Sequence, residues 1–235
     1  MEEFKSRTAA LLGEAAIERL AAARVAVLGL GGVGGACAEA LARTGAGTLI
    51  LMDPERFEPS NLNRQIFATR ATLGLPKVQA AGERLLSINP KLKLILLECF
   101  YASDTREQLF STDPELVLDA IDAVRSKLDL AEACRSRGIP LLQCMGTGNR
   151  LDPSAFRLGT IEDTAGCGCG LARVMRRELK RRGLSGQPVL YSTEVPRPAF
   201  LPSEAGRHPP ASVSFCPPAA GCLMASWAVR KMIGE

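Results

Sequence analysis

Three glycines in the spacing G-x-G-x-x-G, Gly29, Gly31 and Gly34, with Gly32 between them, stand where the apolar run VAVLGL gives way to helical spacing. Glycine there lets the chain turn tightly and bring backbone N–H groups against a phosphate. The start of a helix adds unpaired N–H donors and a positive dipole end. Nineteen residues past Gly34, Asp53 closes the next apolar run. From that position a carboxylate accepts hydrogen bonds from ribose hydroxyls. A glycine-rich turn can serve helix–strand packing alone, but strand, helix and carboxylate together point to a bound nucleotide.

The glycine loop suits NAD or ATP equally. The following segment, NLNRQ over 61–65 and then Lys77 in GLPK, separates them. Asn61, its neighbouring amide, Arg64 and Lys77 supply cations and amide donors that hydride transfer has no use for. Adenylation does use them, because a carboxylate attacks the α-phosphorus and charge builds on phosphate oxygens and departing pyrophosphate. Asp119 and Asp122 follow in DAID at the end of a fourth apolar run. The carboxyl ends of parallel strands face the ligand crevice, so Asp122 is placed to hold Mg2+ against phosphates. The competing reading makes it the N-cap of the helix that begins at 124.

These residues need a frame. The pattern predicts a short helix over 14–23, buried strands over 25–30 and 48–52, and between them a helix over 33–44. A helix over 75–88 stops at Asn89-Pro90, strands follow over 91–98, 116–121 and 140–145, and a helix over 124–137 is closed by Gly138. Alternating strands and helices make an α/β, Rossmann-like, doubly wound and mainly parallel sheet. Residues 1–150 read as an ATP-binding adenylation core and 151–235 as an irregular C-terminal extension packed on it. The extension holds a candidate strand over 156–161, a basic helix over 171–183 and a closing apolar helix over 217–232. Residues 188–218 carry eight of the fifteen prolines and read as a loop.

GLGGVG (29–34), Asp53, NLNRQ, Lys77 and DAID resemble the adenylation core shared by ubiquitin-activating enzymes and the molybdopterin- and thiamine-pathway adenylyltransferases. That resemblance implies ribose contact by Asp53, phosphate contacts by Asn61, Arg64 and Lys77, and magnesium assistance by Asp122. It also implies an arginine, Arg7, supplied across a homodimer interface. Within this superfamily, SRTAALLGEAAIERL, NLNRQIFATRATLGLPKV, LARVMRRELKRRG and YSTE (191–194) resemble the tRNA threonylcarbamoyladenosine dehydratase branch. The branch likeness implies ATP-dependent activation of a carboxylate on a tRNA nucleoside, followed by ring closure with loss of water. Known members also bind a monovalent cation, and a sulfur-relay protein is a candidate partner. The alternative within the superfamily is an adenylyltransferase for a ubiquitin-like sulfur carrier.

The rest of the sequence bears on that choice. Arg173, Arg176, Arg177, Lys180 and Arg181 lie on one basic helix, with 173, 176, 177 and 180 on one face. Such a stripe suits the phosphates of tRNA, and equally a solvated helix face. Sulfur-carrier enzymes hold zinc with paired C-x-x-C motifs. Here the C-terminal cysteines are Cys167-x-Cys169 and the widely spaced Cys216 and Cys222, which argues against zinc. Cys216 reads as a buried small hydrophobe. The GCGCG stretch (166–170) has no reading from sequence alone. His208, the single histidine, reads as solvent-exposed rather than as a base. A polar start without a signal sequence, and no apolar run of membrane length, predict a cytoplasmic chain with no membrane partner.

Overall fold

The computed structural model describes residues 3–198 and 210–235. His208 lies outside them. Strand β1 (Arg24–Leu28) runs through the middle of the sheet, and Val25 to Leu28 are without solvent exposure. β2 (Thr48–Met52) pairs with it in parallel, Val25 opposite Leu49, and β3 (Lys93–Leu97) continues outward from β2. On the other side β4 (Leu116–Asp119) pairs with β1, and β5 (Leu141–Cys144) pairs with β4. Strands buried on both faces read as continuous apolar runs, and this is why VAVL, TLILM and LVL identify them without alternation.

Neighbouring residues of β1 and β2 feed opposite layers. Val25, Val27, Leu49 and Leu51 face α3 (Gly32–Thr44), α4 (Lys77–Ile88) and α8 (Cys216–Ile233). Ala26, Leu28, Ile50 and Met52 face α5 (Arg106–Phe110), α6 (Val124–Arg137) and α7 (Gly170–Arg181). The first turn of α8 contains Pro217 and Pro218, where a missing N–H costs nothing. Its wholly buried Met224 contributes ~1.5–3 kcal/mol by the usual value for burying such a side chain. Two short helices, α1 (Ser6–Leu12) and α2 (Glu14–Ala22), pack Ala9, Ile17 and Leu20 against the far end of α8.

One expectation fails. The proline-rich stretch over 188–218 is not loop throughout. β7 (Pro188–Ser192) adds in parallel to β5, with Gln143 opposite Val189, and β6 (Phe156–Thr160) closes the edge antiparallel to β7. The sheet order is therefore β3-β2-β1-β4-β5-β7-β6. Pro188 is tolerated because it is the first residue of its strand. Proline count outweighed the short apolar run PVLY, yet Val189 and Leu190 are without exposure.

The chain leaves β1 for β2 on one side and returns to β4 on the other. The resulting switch point opens a crevice beyond the carboxyl ends of β1 and β4, where doubly wound folds bind their ligands.

Candidate active site

Gly29 leaves β1 with φ +83°, and a Cβ there would lie 2.8 Å from the Ala120 carbonyl oxygen. Gly34 is tighter, since a Cβ would lie 1.7 Å from the Gly29 oxygen. Only hydrogen fits at either place, so the loop presses the start of α3 against the ends of β1 and β4. Asp53, just past β2, ties it down: Oδ2 accepts from the Leu30 N–H at 2.6 Å and Oδ1 from the Glu55 N–H at 2.8 Å. Burial pushes the Asp53 carboxyl above its ordinary range, against the pull of those two N–H groups and of Lys77. A carboxylate has about four lone-pair sites, so acceptor capacity remains for a ligand's hydroxyls.

Lys77 arrives by a strand-like contact. The Phe57 N–H donates to Leu75 at 3.0 Å and the Lys77 N–H donates to Glu55 at 2.9 Å, which sets the first residue of α4 over the segment after Asp53. Its ammonium is 2% exposed as a residue and pairs with Glu55 Oε2 at 2.5 Å, while the Glu55 side chain is 68% exposed. The buried cation is therefore balanced by a carboxylate free to swing into solvent.

The NLNRQ segment folds as a 3-10 turn, Pro59–Asn61, followed by a further turn. Asn61 Oδ1 accepts the Glu58 N–H at 3.1 Å and so fixes the turn. Arg64 Nη1 donates to Ser60 O and to Asn63 Oδ1, both at 2.9 Å, and has no carboxylate partner among the described residues. Gln65 is buried, and its Oε1 has no hydrogen-bond partner among the described residues. Gln65 sits inside the motif, but the sequence alone does not mark it as a separate site residue.

Gly29, Gly31, Gly32, Asp53, Asn61, Arg64, Gln65, Lys77 and Asp122 line one cleft of ≈ 690 Å³. Gly34 lies beneath its floor. Arg7 does not line it. α1 begins beside Lys5, whose side chain lies against Gly45 at the other end of α3, so Arg7 belongs to the opposite end of the molecule.

The two aspartates of DAID have separate fates. Asp119 is wholly buried: Oδ1 accepts the Ile121 N–H at 2.9 Å, Oδ2 accepts Gln143 Nε2 at 2.7 Å, and Lys127 Nζ lies 3.0 Å from Oδ2. That ammonium, also wholly buried, meets Asp119 at ion-pair distance but outside hydrogen-bond geometry, and Gln143 Oε1 is unpartnered. Asp122 is exposed and unpaired among the described residues. It does not cap α6, because the cap position is Ala123 and no side chain bonds there.

A second cavity of ≈ 500 Å³ adjoins the cleft, and Ala120, Ile121 and Asp122 belong to both. Its other walls are the loop from Cys144 to Arg150, residues 168–171, and Val33, Pro196 and Pro210. GCGCG thereby gains an account. Cys167 is buried in the core, Cys169 Sγ accepts the Ala172 N–H at the start of α7, and the segment forms cavity wall. Burial drives the Cys144 thiol up to about 12, so it is no nucleophile at neutral pH. Cys216 is a core residue of α8, and burial raises its thiol too. No group of three or more His, Cys, Asp or Glu among the described residues could hold a metal.

The basic helix is partly spoken for. Arg177 and Arg181 pair with Glu178, held below the ordinary carboxylate range by Arg182 and Arg177. Arg176 is turned aside, its Nη1 donating to Thr164 Oγ1 at 2.9 Å. Arg173 and Lys180 remain exposed and without partners among the described residues. No helix is long and apolar enough to cross a membrane among the described residues.

Comparison with known proteins agrees with this arrangement. The chain is 36% identical to the tRNA threonylcarbamoyladenosine dehydratase of Bacillus subtilis over 242 residues, spanning 98% of this chain and 94% of that one. Against the enzyme of the same name from Escherichia coli it is 38% identical over 200 residues, 80% of this chain and 72% of that one. The crystal structure of the E. coli dehydratase TcdA in complex with ATP superposes with a TM-score of 0.88 at 32% identity, covering 99% of this chain and 94% of that one. The ThiF family model matches residues 5–235, which takes in the glycine loop, the cleft and the second cavity alike, and the chain belongs to the ThiF family.

Proposed function

We propose that this chain is an ATP-dependent dehydratase that adenylates the carboxylate of threonylcarbamoyladenosine in tRNA and promotes its cyclisation. The observation that carries the reading is the shared wall: a nucleotide cleft and a second cavity meet at Ala120, Ile121 and Asp122, so a carboxylate in one can reach a phosphorus in the other. The relatives that carry the dehydratase name extend across the C-terminal part that builds the second cavity, which favours this reading over a sulfur-carrier adenylyltransferase.

The residues fit the task. Backbone N–H groups at the start of α3 cradle phosphate, and Asp53 accepts from the ribose while holding the loop. Lys77 and Arg64 balance the charge that builds on the phosphates, with Asn61 and Gln65 adding amide donors. Glu55 leaves Lys77 as phosphate arrives, exchanging one anion for another. Asp122, exposed and unpaired, suits Mg2+, which takes one or two carboxylates plus phosphate oxygens. When bound, magnesium supplies charge neutralisation on the phosphates. The substrate's urea nitrogen then displaces AMP, a ring closure that needs activation and positioning more than an external base. The family likeness calls for an arginine supplied by a second copy, and Arg7, which does not line its own cleft, suits that supply in a homodimer. Arg173 and Lys180 offer cations to tRNA phosphates.

The test is incubation with ATP, Mg2+ and threonylcarbamoylated tRNA. AMP should appear and the nucleoside should lose the mass of one water. An unchanged nucleoside, with pyrophosphate exchange that depends instead on a small protein ending in Gly-Gly, would select the sulfur-carrier alternative.

A further inference from the structure

Arg150 has a buried cation's problem without a buried cation's solution. It lines the second cavity and is 3% exposed. One nitrogen, Nη2, donates to the Cys167 carbonyl at 3.3 Å, while Nε and Nη1 have no hydrogen-bond partner among the described residues. An arginine that serves only as a strut spends its donors on carbonyls or a carboxylate, because unpaired buried donors are costly. Glu194 is close enough for the Arg150 charge to lower its carboxyl, but it takes none of the free donors: its carboxylate accepts the Leu151 and Asp152 N–H groups and pairs with Arg197.

The local backbone holds this arrangement in place. Asn149 sits in the left-handed region at φ +59°, which asparagine tolerates better than most residues. It is clamped by three bonds: its N–H donates to Ala211 O, its Oδ1 accepts the Ala211 N–H, and its carbonyl accepts the Arg197 N–H. A residue held in such a conformation by its surroundings is common beside ligand sites. The next residue, Arg150, lines the same cavity as Ala120, Ile121 and Asp122.

We infer that the second cavity receives the ureido-linked amino-acid moiety of the substrate and that Arg150 donates to the carboxylate oxygen that does not attack phosphorus. This rests on the dehydratase reading and names the group that would grip the acyl half of that reaction. The other carboxylate oxygen bonds to the α-phosphorus, and the bond to pyrophosphate breaks. The oxygen held by Arg150 becomes the acyl carbonyl. The urea nitrogen attached to adenosine then bonds to the acyl carbon and loses its proton to solvent, and the bond to AMP breaks. The held oxygen bears the developing negative charge of that step, so the same donors serve both halves.

The experiment compares Arg150→Met and Arg150→Lys with wild type in the tRNA assay, alongside ATP affinity by calorimetry and a thermal melt. Arg150→Met should lose about a hundredfold in kcat/KM for threonylcarbamoylated tRNA, about 2.7 kcal/mol of transition-state stabilisation, mostly in kcat. ATP affinity should stay within about twofold, and lysine should restore part of the loss. Wild-type turnover with an equally fast Arg150→Met overturns the proposal alone. A loss matched by an equal loss of ATP affinity, or failure of both variants to fold, assigns the arginine to the scaffold and also overturns it. A wild-type chain that leaves the nucleoside unchanged overturns the dehydratase reading, and this proposal with it.

Discussion

Asp119→Asn and Asp122→Asn, two substitutions three residues apart, should produce opposite failures. Asp119 and Lys127 are both wholly buried and 3.0 Å apart. Removing one charge from a buried pair costs about 3–5 kcal/mol, because the other is left uncompensated. For a domain of 150–250 residues each kcal/mol moves Tm by about 2–4 °C, so Asp119→Asn should melt about 6–20 °C early. Lys127→Met should do the same. The double variant should lose less than the sum, since neither member is then left as an uncompensated buried charge. Asp122, exposed and unpaired, should change stability by no more than about 0.5 kcal/mol on conversion to asparagine, yet lose about a hundredfold or more in AMP release. Calorimetric melts and an AMP-release assay on the same preparations read both effects. The reasoning is refuted if Asp119→Asn melts with wild type, or if Asp122→Asn melts early while turning over normally.

Gly34→Ala should abolish ATP binding and lower Tm, because its Cβ would meet backbone and not a movable side chain; calorimetry giving wild-type affinity would contradict this. Arg173→Ala with Lys180→Ala should reduce the slope of log K against log salt for tRNA binding by about two, whereas an unchanged slope would return α7 to the solvated-face reading. Glu194 has a carboxyl which burial would raise, but the Asp152 and Leu151 N–H groups and neighbouring arginines hold it below its ordinary 4.5. A lowered folded-state value stabilises above the unfolded value and is lost as pH falls through the folded one. Wild type should therefore lose Tm on acidification below about pH 4.5, and Glu194→Gln should show a shallower acid slope.

Local chemistry made much of the site legible in the sequence. The glycine loop, Asp53 at the end of its strand, and the cations of NLNRQ and GLPK depend on turn geometry, strand burial and short-range spacing, all of which one stretch of chain expresses alone. Four of the five parallel strands were readable because strands covered on both faces are apolar runs, and β3, partly exposed at the sheet edge, because its LILL run is apolar all the same. Four features needed distant partners. β7 exists because β5 offers an open edge to a short apolar run set among prolines. Asp119 is a buried strut and Asp122 an exposed, unpaired carboxylate because Lys127 and Gln143 close over only one of them. Arg176 leaves the basic stripe for Thr164. Arg150 carries no local signal at all, since its burial and unspent donors come from a loop clamped by residues more than forty positions downstream. Spacing and residue type set what each segment of this chain can do, but burial and pairing are properties of the assembled neighbours, and these decide which charges are spent on the fold and which remain for chemistry.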